Sequence, residues 1–281
     1  MTGLAKRMVC WFSCGAPSAV ASMLAIKKYG ATHDVVVANC QIKEEHPDND
    51  RFLKDCEEWF GQKAVRLGND NYGRSVEVVC RSVKYIVSPS GAPCTGKLKK
   101  DVRLAFQRPG DIHVFGYTTE ERDRVDRFID ANSDIEIIPI LIDAGLTKAD
   151  CKGIIDRAGI KLPEMYLLGY ENANCIGCVK GSAGYWNKVR VTHPEVYERR
   201  ARLEEEIGGI ICKIAMSTVK KKYPEIYKTL ECPPLKNENG GDKYWRPTLR
   251  ELPEDAGDFP REPQIECGIF CEMAEQDIRG F

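Results

Sequence analysis

Short apolar runs alternate along the first half of the chain with longer stretches in which apolar residues recur every three or four positions. The run at residues 8–13 ends in a turn of small residues, and residues 18–29 then show helical spacing. Further short runs lie at 34–39, 63–67, 111–116 and 135–139, with helical patterns between them. Strands that alternate with helices predict an α/β fold with a mostly parallel, twisted sheet and helices on both faces.

The pattern changes beyond Lys148. A helix is predicted to residue 158, a loop rich in Gly and Asn follows around Cys175, and a long charged helical region covers 194–230. From 232 to 266 prolines recur without periodicity, which predicts an extended tail. We therefore expect an α/β domain over 1–170 and a cysteine-containing region of helices and extended chain over 171–281.

Composition narrows the classes of function. The chain has 41 Lys and Arg against 42 Asp and Glu, so its net charge of -1 gives no overall basis for binding nucleic acid. A nucleic-acid partner would need a local positive patch. The candidates for such a patch are Lys97, Lys99, Lys100 and residues 213–222. No apolar run is long enough to span a bilayer, and the first residues lack the pattern of a signal peptide. We expect a cytoplasmic protein without a membrane partner.

The turn at residues 13–18 follows the first predicted strand at the edge where open α/β sheets bind ligands. A helix that begins at Ser18 would present backbone N–H groups and a positive dipole end to phosphate oxygens. Gly15 and Ala16 allow a close approach of the backbone, and the hydroxyls of Ser13 and Ser18 add donors. The turn predicts an anion site, and simple packing of strand against helix is the alternative.

Thirteen cysteines are many for 281 residues, and in a reducing compartment they favour metal ligation or thiol chemistry over disulfides. Two close pairs stand out, Cys175 with Cys178 and Cys267 with Cys271. A C-x-x-C in a loop with glycine lets two thiolates bind one metal centre. Buried thiols without a metal are the alternative, and structural zinc is the alternative to an iron–sulfur cluster.

Several segments resemble the phosphoadenosine phosphosulfate (PAPS) and adenosine phosphosulfate (APS) reductase branch of the PP-loop enzymes. The sequence Ser-Cys-Gly-Ala-Pro-Ser at 13–18 is similar to the SGGxDS PP-loop, with Cys14 at the second position and Pro17 in place of the Asp. Pro-Cys-Thr-Gly-Lys-Leu-Lys at 93–99 and the turn from Gly116 to Arg124 resemble later family segments, although Thr118 stands where the family has Arg. Glu-Cys-Gly-Ile-Phe at 266–270 resembles the family's E-C-G-[IL]-H tail, with Phe270 in place of His.

The resemblance implies a PP-loop fold of the HUP type that binds an adenine nucleotide, with ATP, APS or PAPS as substrate. It implies that the nucleotide or its sulfate contacts Ser13, Cys14, Gly15, Ala16, Ser18, Asn39, Lys99, Gly116 and Arg124. It also implies that Cys267 is the nucleophile that attacks a sulfonucleotide. The S-sulfocysteine formed there would later be released by a thiol or another electron donor.

The APS reductases further imply a 4Fe–4S cluster, since they place a cysteine pair upstream of their C-x-x-C, and Cys94 lies 81 residues before Cys175. The cluster would bind Cys94, Cys175, Cys178 and one of the tail residues Cys267 and Cys271, or both close pairs without Cys94.

Three functions are compatible with these motifs. The first is a reductase of the PAPS/APS type that carries an iron–sulfur cluster. The second is an ATP-dependent sulfur transferase that adenylates a nucleic-acid base before sulfur is delivered. The third is a module that binds a nucleotide or senses redox state without turnover, which the missing Asp of the loop and the missing His of the tail both permit.

Overall fold

The computed structural model describes residues 6–88, 91–132, 135–259, 261–262 and 265. The strands are β1 (Arg7–Trp11), β2 (Asp34–Cys40), β3 (Val65–Leu67), β4 (Ile112–Val114), β5 (Glu136–Ile138), β6 (Ile214–Ala215) and β7 (Tyr244–Trp245). The helices are α1 (Ala16–Tyr29), α2 (Asn49–Phe60), α3 (Val76–Val83), α4 (Pro93–Thr95), α5 (Asp101–Phe106), α6 (Arg122–Ala131), α7 (Ile140–Asp143), α8 (Lys148–Arg157), α9 (Glu164–Leu167), α10 (Ala183–Thr192), α11 (Pro194–Ile207), α12 (Met216–Lys222) and α13 (Pro224–Thr229). A π-helical turn, Gly96–Lys100, joins α4 to α5.

Five parallel strands form one sheet in the order β3-β2-β1-β4-β5. The central strand β1 sends alternate side chains to two separate cores. Met8 and Cys10 belong to the cluster that contains residues of α1, α2 and α8, whereas Val9 and Trp11 belong to the cluster with α5 and α6. The predicted α/β fold with a parallel sheet covered on both faces is therefore confirmed.

Helix α1 begins at Ala16 and not at Ser18, so the predicted start was wrong by two residues. Pro17 lies in its first turn, where the missing N–H leaves no helical hydrogen bond unmade. The proline therefore fixes the first turn of the helix, and it removes one of the backbone donors that a phosphate at this end would otherwise meet.

The described chain divides into two compact units. The first consists of residues 6–78 and 94–175, and the second of residues 79–93 and 176–265. Compactness does not test independent folding, so the domain boundary expected at residue 170 stays a prediction. Across the described ranges, none of the helices combines the length and the hydropathy needed to cross a bilayer.

In the second unit, the charged region predicted as one helical stretch over 194–230 consists of three helices and a strand. Gly208, at φ +72°, adopts the left-handed conformation that ends α11, and β6 follows six residues later. Pro224 then separates α13 from α12, since a proline cannot continue the helical hydrogen bonds of the residues before it. Glycine and proline thus override the helical periodicity.

A buried histidine in β4 gives the first unit a pH dependence. The His113 ring stacks on Trp11 and Phe115, and Trp11 Nε1 donates to His113 Nδ1 at 3.0 Å. Burial, reinforced by the nearby charge of Arg103, lowers the pKa of His113 from 6.5 to about 4. The folded protein therefore keeps this ring neutral under conditions in which the unfolded chain takes up a proton.

We predict that this histidine lowers the stability of the protein as the pH falls from 6.5 to about 4, because only the unfolded chain gains the proton in that window. The loss should reach up to about 3 kcal/mol. Urea unfolding at a series of pH values should show that His113→Gln, whose amide oxygen can still accept from Trp11, lacks this component. The matched change His33→Gln, at a partly exposed site, should leave the pH profile as in wild type. A His113→Gln profile identical to wild type would contradict the assignment.

A buried carboxylate organises the second unit. Glu204 of α11 is 1% exposed, and its two oxygens accept from Ile211 N at 2.7 Å and Leu249 N at 2.6 Å. Burial raises the pKa of Glu204, and these two N–H donors oppose the rise. One side chain thus fixes two segments that are 38 residues apart in sequence.

We expect Glu204→Ala to lower the free energy of unfolding by about 3 kcal/mol or more, because two buried N–H groups lose their acceptor. Glu204→Gln keeps one acceptor oxygen and should cost less. The adjacent exposed Glu205, ion-paired with Arg250, provides the control, and Glu205→Gln should change stability by less than about 1 kcal/mol. Equal effects of Glu204→Ala and Glu205→Gln in denaturant titrations would disprove this role.

Candidate functional site

The turn between β1 and α1 is held in a strained conformation. Cys14 has φ +56°, in the left-handed region that favours glycine, which costs a non-glycine residue about 1–2 kcal/mol. Its thiol is 1% exposed, and burial raises the pKa of Cys14 well above its ordinary value. Cys14, which stands at the first glycine of the motif that the turn resembles, thus adopts a backbone conformation that glycine favours, and its side chain is a neutral, enclosed thiol.

Asn39, at the end of β2, supports this turn from beneath. Its amide Nδ2 donates to the Phe12 carbonyl at 2.9 Å and to Cys14 Sγ at 3.6 Å, and the side chain is 3% exposed. These contacts make Asn39 a positioning residue for the turn. It lies at the predicted edge of the sheet, with its side chain engaged by the chain itself.

The two serines of the turn have different roles. Ser18 is buried, and its Oγ accepts from Ser13 N at 3.1 Å and donates to the Gly15 carbonyl at 2.9 Å. Ser13 is exposed, with its Oγ 3.2 Å from Ser18 Oγ. The Ser18 hydroxyl therefore closes the turn, and the Ser13 hydroxyl is the one that faces solvent.

The approach of β4 to this turn requires glycine at residue 116. A Cβ atom on Gly116 would lie 2.5 Å from Ser18 N and 2.7 Å from Ser18 Cα, closer than real Cβ contacts allow. The carboxyl ends of β1, β2 and β4 therefore meet around the start of α1, with the predicted residues Gly15, Ala16, Ser18, Asn39 and Gly116 at one place.

Arg124, the other predicted residue of this segment, is engaged within its own turn. Its Nη1 lies 2.9 Å from Glu121 Oε1, and its guanidinium lies 5.1 Å from the centroid of the Tyr117 ring. Glu121 Oε2 also accepts from Thr118 N at 3.2 Å, which stabilises the start of the helical turn. Thr118 is 1% exposed. The structure thus gives Arg124 a role in shaping the turn after β4.

Lys99 supplies a positive charge near the end of β2. It is 7% exposed, within the π-helical turn Gly96–Lys100. Burial raises the pKa of the Cys40 thiol to about 12, and the charge of Lys99 opposes that rise, which places the lysine within electrostatic range of β2. Asn69 Nδ2 donates to the Lys97 carbonyl at 2.8 Å and holds this segment in place. Cys94 lies one turn earlier and is partly exposed.

A tyrosine that the sequence did not indicate completes the loop. Tyr166 of α9 accepts a hydrogen bond from Ala16 N at 3.3 Å, and a Cβ on Gly15 would lie 3.3 Å from its hydroxyl. Burial raises the pKa of Tyr166 to about 12, so the hydroxyl stays protonated. It comes from a four-residue helix some 150 positions away, and no local pattern marks it.

The C-x-x-C loop is buried and lies beside a buried cation. Cys175 and Cys178 are 6% and 7% exposed. Gly177 has φ +66°, and Arg200 of α11, which is 0% exposed, donates from Nε to the Gly177 carbonyl at 3.1 Å. The Tyr185 hydroxyl accepts from Cys178 N at 2.9 Å. The side chains of Arg200 and Tyr185 thus hold the backbone of this loop at Gly177 and Cys178.

The complete ligand set is not assembled within the described ranges. Among those residues, no group of three or more His, Cys, Asp or Glu side chains is placed to hold a metal ion. The predicted ligands Cys267 and Cys271, and with them the predicted nucleophile Cys267, lie outside the described residues. None of the eleven described cysteines forms a disulfide.

The segment of residues 253–262, which precedes the tail cysteines, is hydrogen-bonded to α10. Asn187 Nδ2 donates to the carbonyls of Pro253 and Ala256, both at 2.8 Å. At the start of the helix, Glu262 accepts from Gly184 N at 2.7 Å and Tyr185 N at 2.9 Å. A carboxylate at a helix N-terminus is favoured by the helix dipole. Glu262, five residues before Cys267 in sequence, is therefore bound to the backbone of the tyrosine whose hydroxyl contacts Cys178.

Comparisons with known proteins leave the family open. Neither protein-family models nor curated proteins match the chain. Among solved structures, it is similar to the U34-tRNA thiolase NcsA from Methanococcus maripaludis with its 4Fe–4S cluster, at 10% identity and a TM-score of 0.39. The alignment covers 84% of this chain and 75% of the other. A likeness at that TM-score carries no argument about fold or function, which rest on the geometry of this chain.

Proposed function

We propose that this chain is a PP-loop enzyme of sulfur chemistry that binds an adenine nucleotide at the turn between β1 and α1. The observation that carries the proposal is the approach of Gly116 to Ser18, which packs the end of β4 against the first turn of α1 without a side chain between them. Cys14 in the left-handed conformation turns the backbone toward the same edge. Backbone donors at the start of a helix favour phosphate.

The reaction that we propose is ATP-dependent sulfur transfer to a base of a nucleic acid. In this reaction, a base oxygen attacks the α-phosphorus of ATP and pyrophosphate leaves. A hydrosulfide ion then attacks the activated base carbon, AMP leaves, and loss of the proton from sulfur gives the thio base. In this proposal Lys99 and the exposed Ser13 hydroxyl would bind the phosphates; the charge of Lys99 and the solvent exposure of Ser13 support these roles. Lys213 and the exposed Tyr244 of the second unit support this reaction, because a cation beside an aromatic ring suits a nucleic acid.

A reductase of the PAPS/APS type is the second candidate. The hydrogen bonds of Glu262 to the start of α10 favour it. Glu262 holds the chain five residues before Cys267, the cysteine that the tail motif implies as nucleophile. Attack by that thiolate on sulfonucleotide sulfur would expel the nucleotide, AMP or its 3′-phosphate, and leave an S-sulfocysteine. A donor thiol would then attack the cysteine sulfur, forming a disulfide as sulfite leaves, and a second thiol would reduce that disulfide. Arg124 is bound to Glu121, and Thr118 replaces the family's Arg, so sulfate recognition would depend on Lys99.

We further propose a 4Fe–4S cluster at the C-x-x-C loop, with zinc as the alternative metal, in a protein of the reducing cytoplasm. Cys175 and Cys178 would hold it, with Cys94 and one tail cysteine or with Cys267 and Cys271. When bound, such a cluster supplies a site for sulfur or for electrons. Arg200 would offset the negative charge of its thiolates from the Gly177 side.

We predict that Gly116→Ala weakens ATP binding at least about tenfold, because the new methyl group must displace Ser18 N and with it the first turn of α1. Isothermal titration calorimetry with ATP, APS and PAPS measures the affinity and identifies the preferred nucleotide. The control is Gly153→Ala in α8, where the nearest atom is the flexible end of Arg157.

Thermal unfolding of the same variants separates loss of the site from loss of the fold. Should Gly116→Ala unfold, Ser13→Ala and Gly15→Val test the same turn, the second because its side chain would press on the Tyr166 hydroxyl. Wild-type affinity in all three folded variants would place the nucleotide elsewhere. Preference for ATP favours sulfur transfer, and preference for APS or PAPS favours the reductase.

For the metal, we expect Cys175→Ala and Cys178→Ala each to reduce the iron of anaerobically purified protein to less than about half, since each leaves a ligand position open. The control is Cys151→Ala in α8, where burial raises the pKa of the thiol to about 12 and no ligand role is predicted. Iron and zinc analysis with the visible spectrum provides the measurement. Loss of iron in Cys94→Ala would place Cys94 among the ligands, and retention would assign both tail cysteines. Wild-type protein with neither metal would refute the centre.

A further inference from the structure

One face of a small antiparallel ribbon in the second unit presents an aromatic ring beside two cations. In the register of β6 and β7, Ala215 lies opposite Tyr244, which places Lys213 opposite Arg246. Directly opposed residues and their second neighbours project to the same side of a ribbon. The Nζ atom of Lys213 lies 4.9 Å from the centroid of the Tyr244 ring. We call the surface of Lys213, Tyr244 and Arg246 the Tyr244 face.

The two sides of the ribbon differ in burial. Ile214 and Trp245, which alternate with the residues of the Tyr244 face, are turned inward; Ile214 is 7% exposed and Trp245 is half-buried. Tyr244 is 45% exposed, and both flanking cations are exposed. Nearly half of the Tyr244 surface is open to solvent on this side of the ribbon, so part of its ring is accessible to a ligand.

Charge near the ribbon is unbalanced. Three carboxylates of the neighbouring segments form ion pairs with other lysines, namely Asp242 with Lys236, Glu225 with Lys228 and Asp255 with Lys222, whereas Glu231 and Glu238 pair with no cation in the described part of the chain. Five further cations form no ion pair with any residue in the described part of the chain: Lys213, Lys220, Lys221, Lys243 and Arg246. Lys220 and Lys221 belong to α12, which begins directly after β6, and Met216 N donates to the Lys243 carbonyl at 2.8 Å. The ribbon and α12 therefore form one positive surface.

We propose that the Tyr244 face binds single-stranded nucleic acid. An unpaired base can stack on the Tyr244 ring while Lys213 and Arg246, which lie opposite each other two positions along the ribbon, contact the backbone phosphates on that side of the base. A paired base offers no open ring surface for such stacking, which favours a single strand or a loop over a duplex. This inference rests on the proposed sulfur transfer in one respect, because it assigns the substrate of that reaction to nucleic acid.

The test uses the full-length protein and a short fluorescein-labelled single-stranded RNA, with DNA of the same sequence as a second arm. Fluorescence anisotropy should show that Tyr244→Ala weakens binding at least about fivefold, whereas Tyr244→Phe, which keeps the ring, stays close to wild type. Arg246→Ala should reduce the slope of log affinity against log salt, because one phosphate contact is lost, while Tyr244→Ala leaves that slope unchanged. The control is Lys228→Ala, an exposed lysine already paired with Glu225.

The outcomes are distinct. Absence of RNA and DNA binding by the wild-type protein at low salt would overturn the proposal, and so would equal binding by wild type and Tyr244→Ala. Displacement of the RNA by poly-glutamate at equal charge concentration would identify a surface for acidic peptides and would also overturn it. Calorimetry with ATP on the same samples tests the nucleotide site separately. RNA binding that depends on Tyr244 in a protein that fails to bind ATP would support this face while refuting the proposed reaction.

Discussion

The contact between the backbone of Gly116 and the amide of Ser18 sets the geometry on which the first unit depends. It brings the end of β4 to the first turn of α1, so no side chain separates the edge of the sheet from the start of the helix. Helix α1 in turn packs against α7 and α8 and carries much of one core. The strain at Cys14 is tolerated because the surrounding contacts, including Asn39 beneath it, determine the turn.

The sequence predicted the parallel sheet because short apolar runs alternate with stretches of helical spacing; the central strands β1 and β4 are almost entirely buried. It misplaced the start of α1 because Ala16 and Pro17 read as loop residues, although proline is well suited to the first turn of a helix. It also merged α11, α12 and α13 into one region, since charged residues at helical spacing continue across Gly208 and Pro224. Periodicity identifies elements, while their ends depend on single residues.

The residues of the candidate site likewise fall into those that the sequence predicted and those that only the structure revealed. Ser13, Gly15, Ala16, Ser18, Asn39 and Gly116 could be found from sequence, because carboxyl ends of parallel strands converge on one edge. Tyr166 could not, since its contact with Ala16 N depends on the packing of a short helix distant in sequence. The separate roles of Ser13 and Ser18 also needed the structure, as both hydroxyls read alike in the sequence and only Ser18 is used by the turn itself.

Two buried charged side chains of α11, Glu204 and Arg200, bind backbone groups of other segments in the second unit. Glu204 is satisfied by Ile211 N and Leu249 N, two backbone groups that would otherwise be buried without an acceptor, so its desolvation is offset by the fold itself. Arg200, one helical turn earlier and equally buried, donates from Nε to the Gly177 carbonyl. Both side chains therefore act in the same way, since each binds the backbone of a segment that is distant from α11 in sequence. Glu204 does so for Ile211 and Leu249, and Arg200 does so for the loop that carries Cys178.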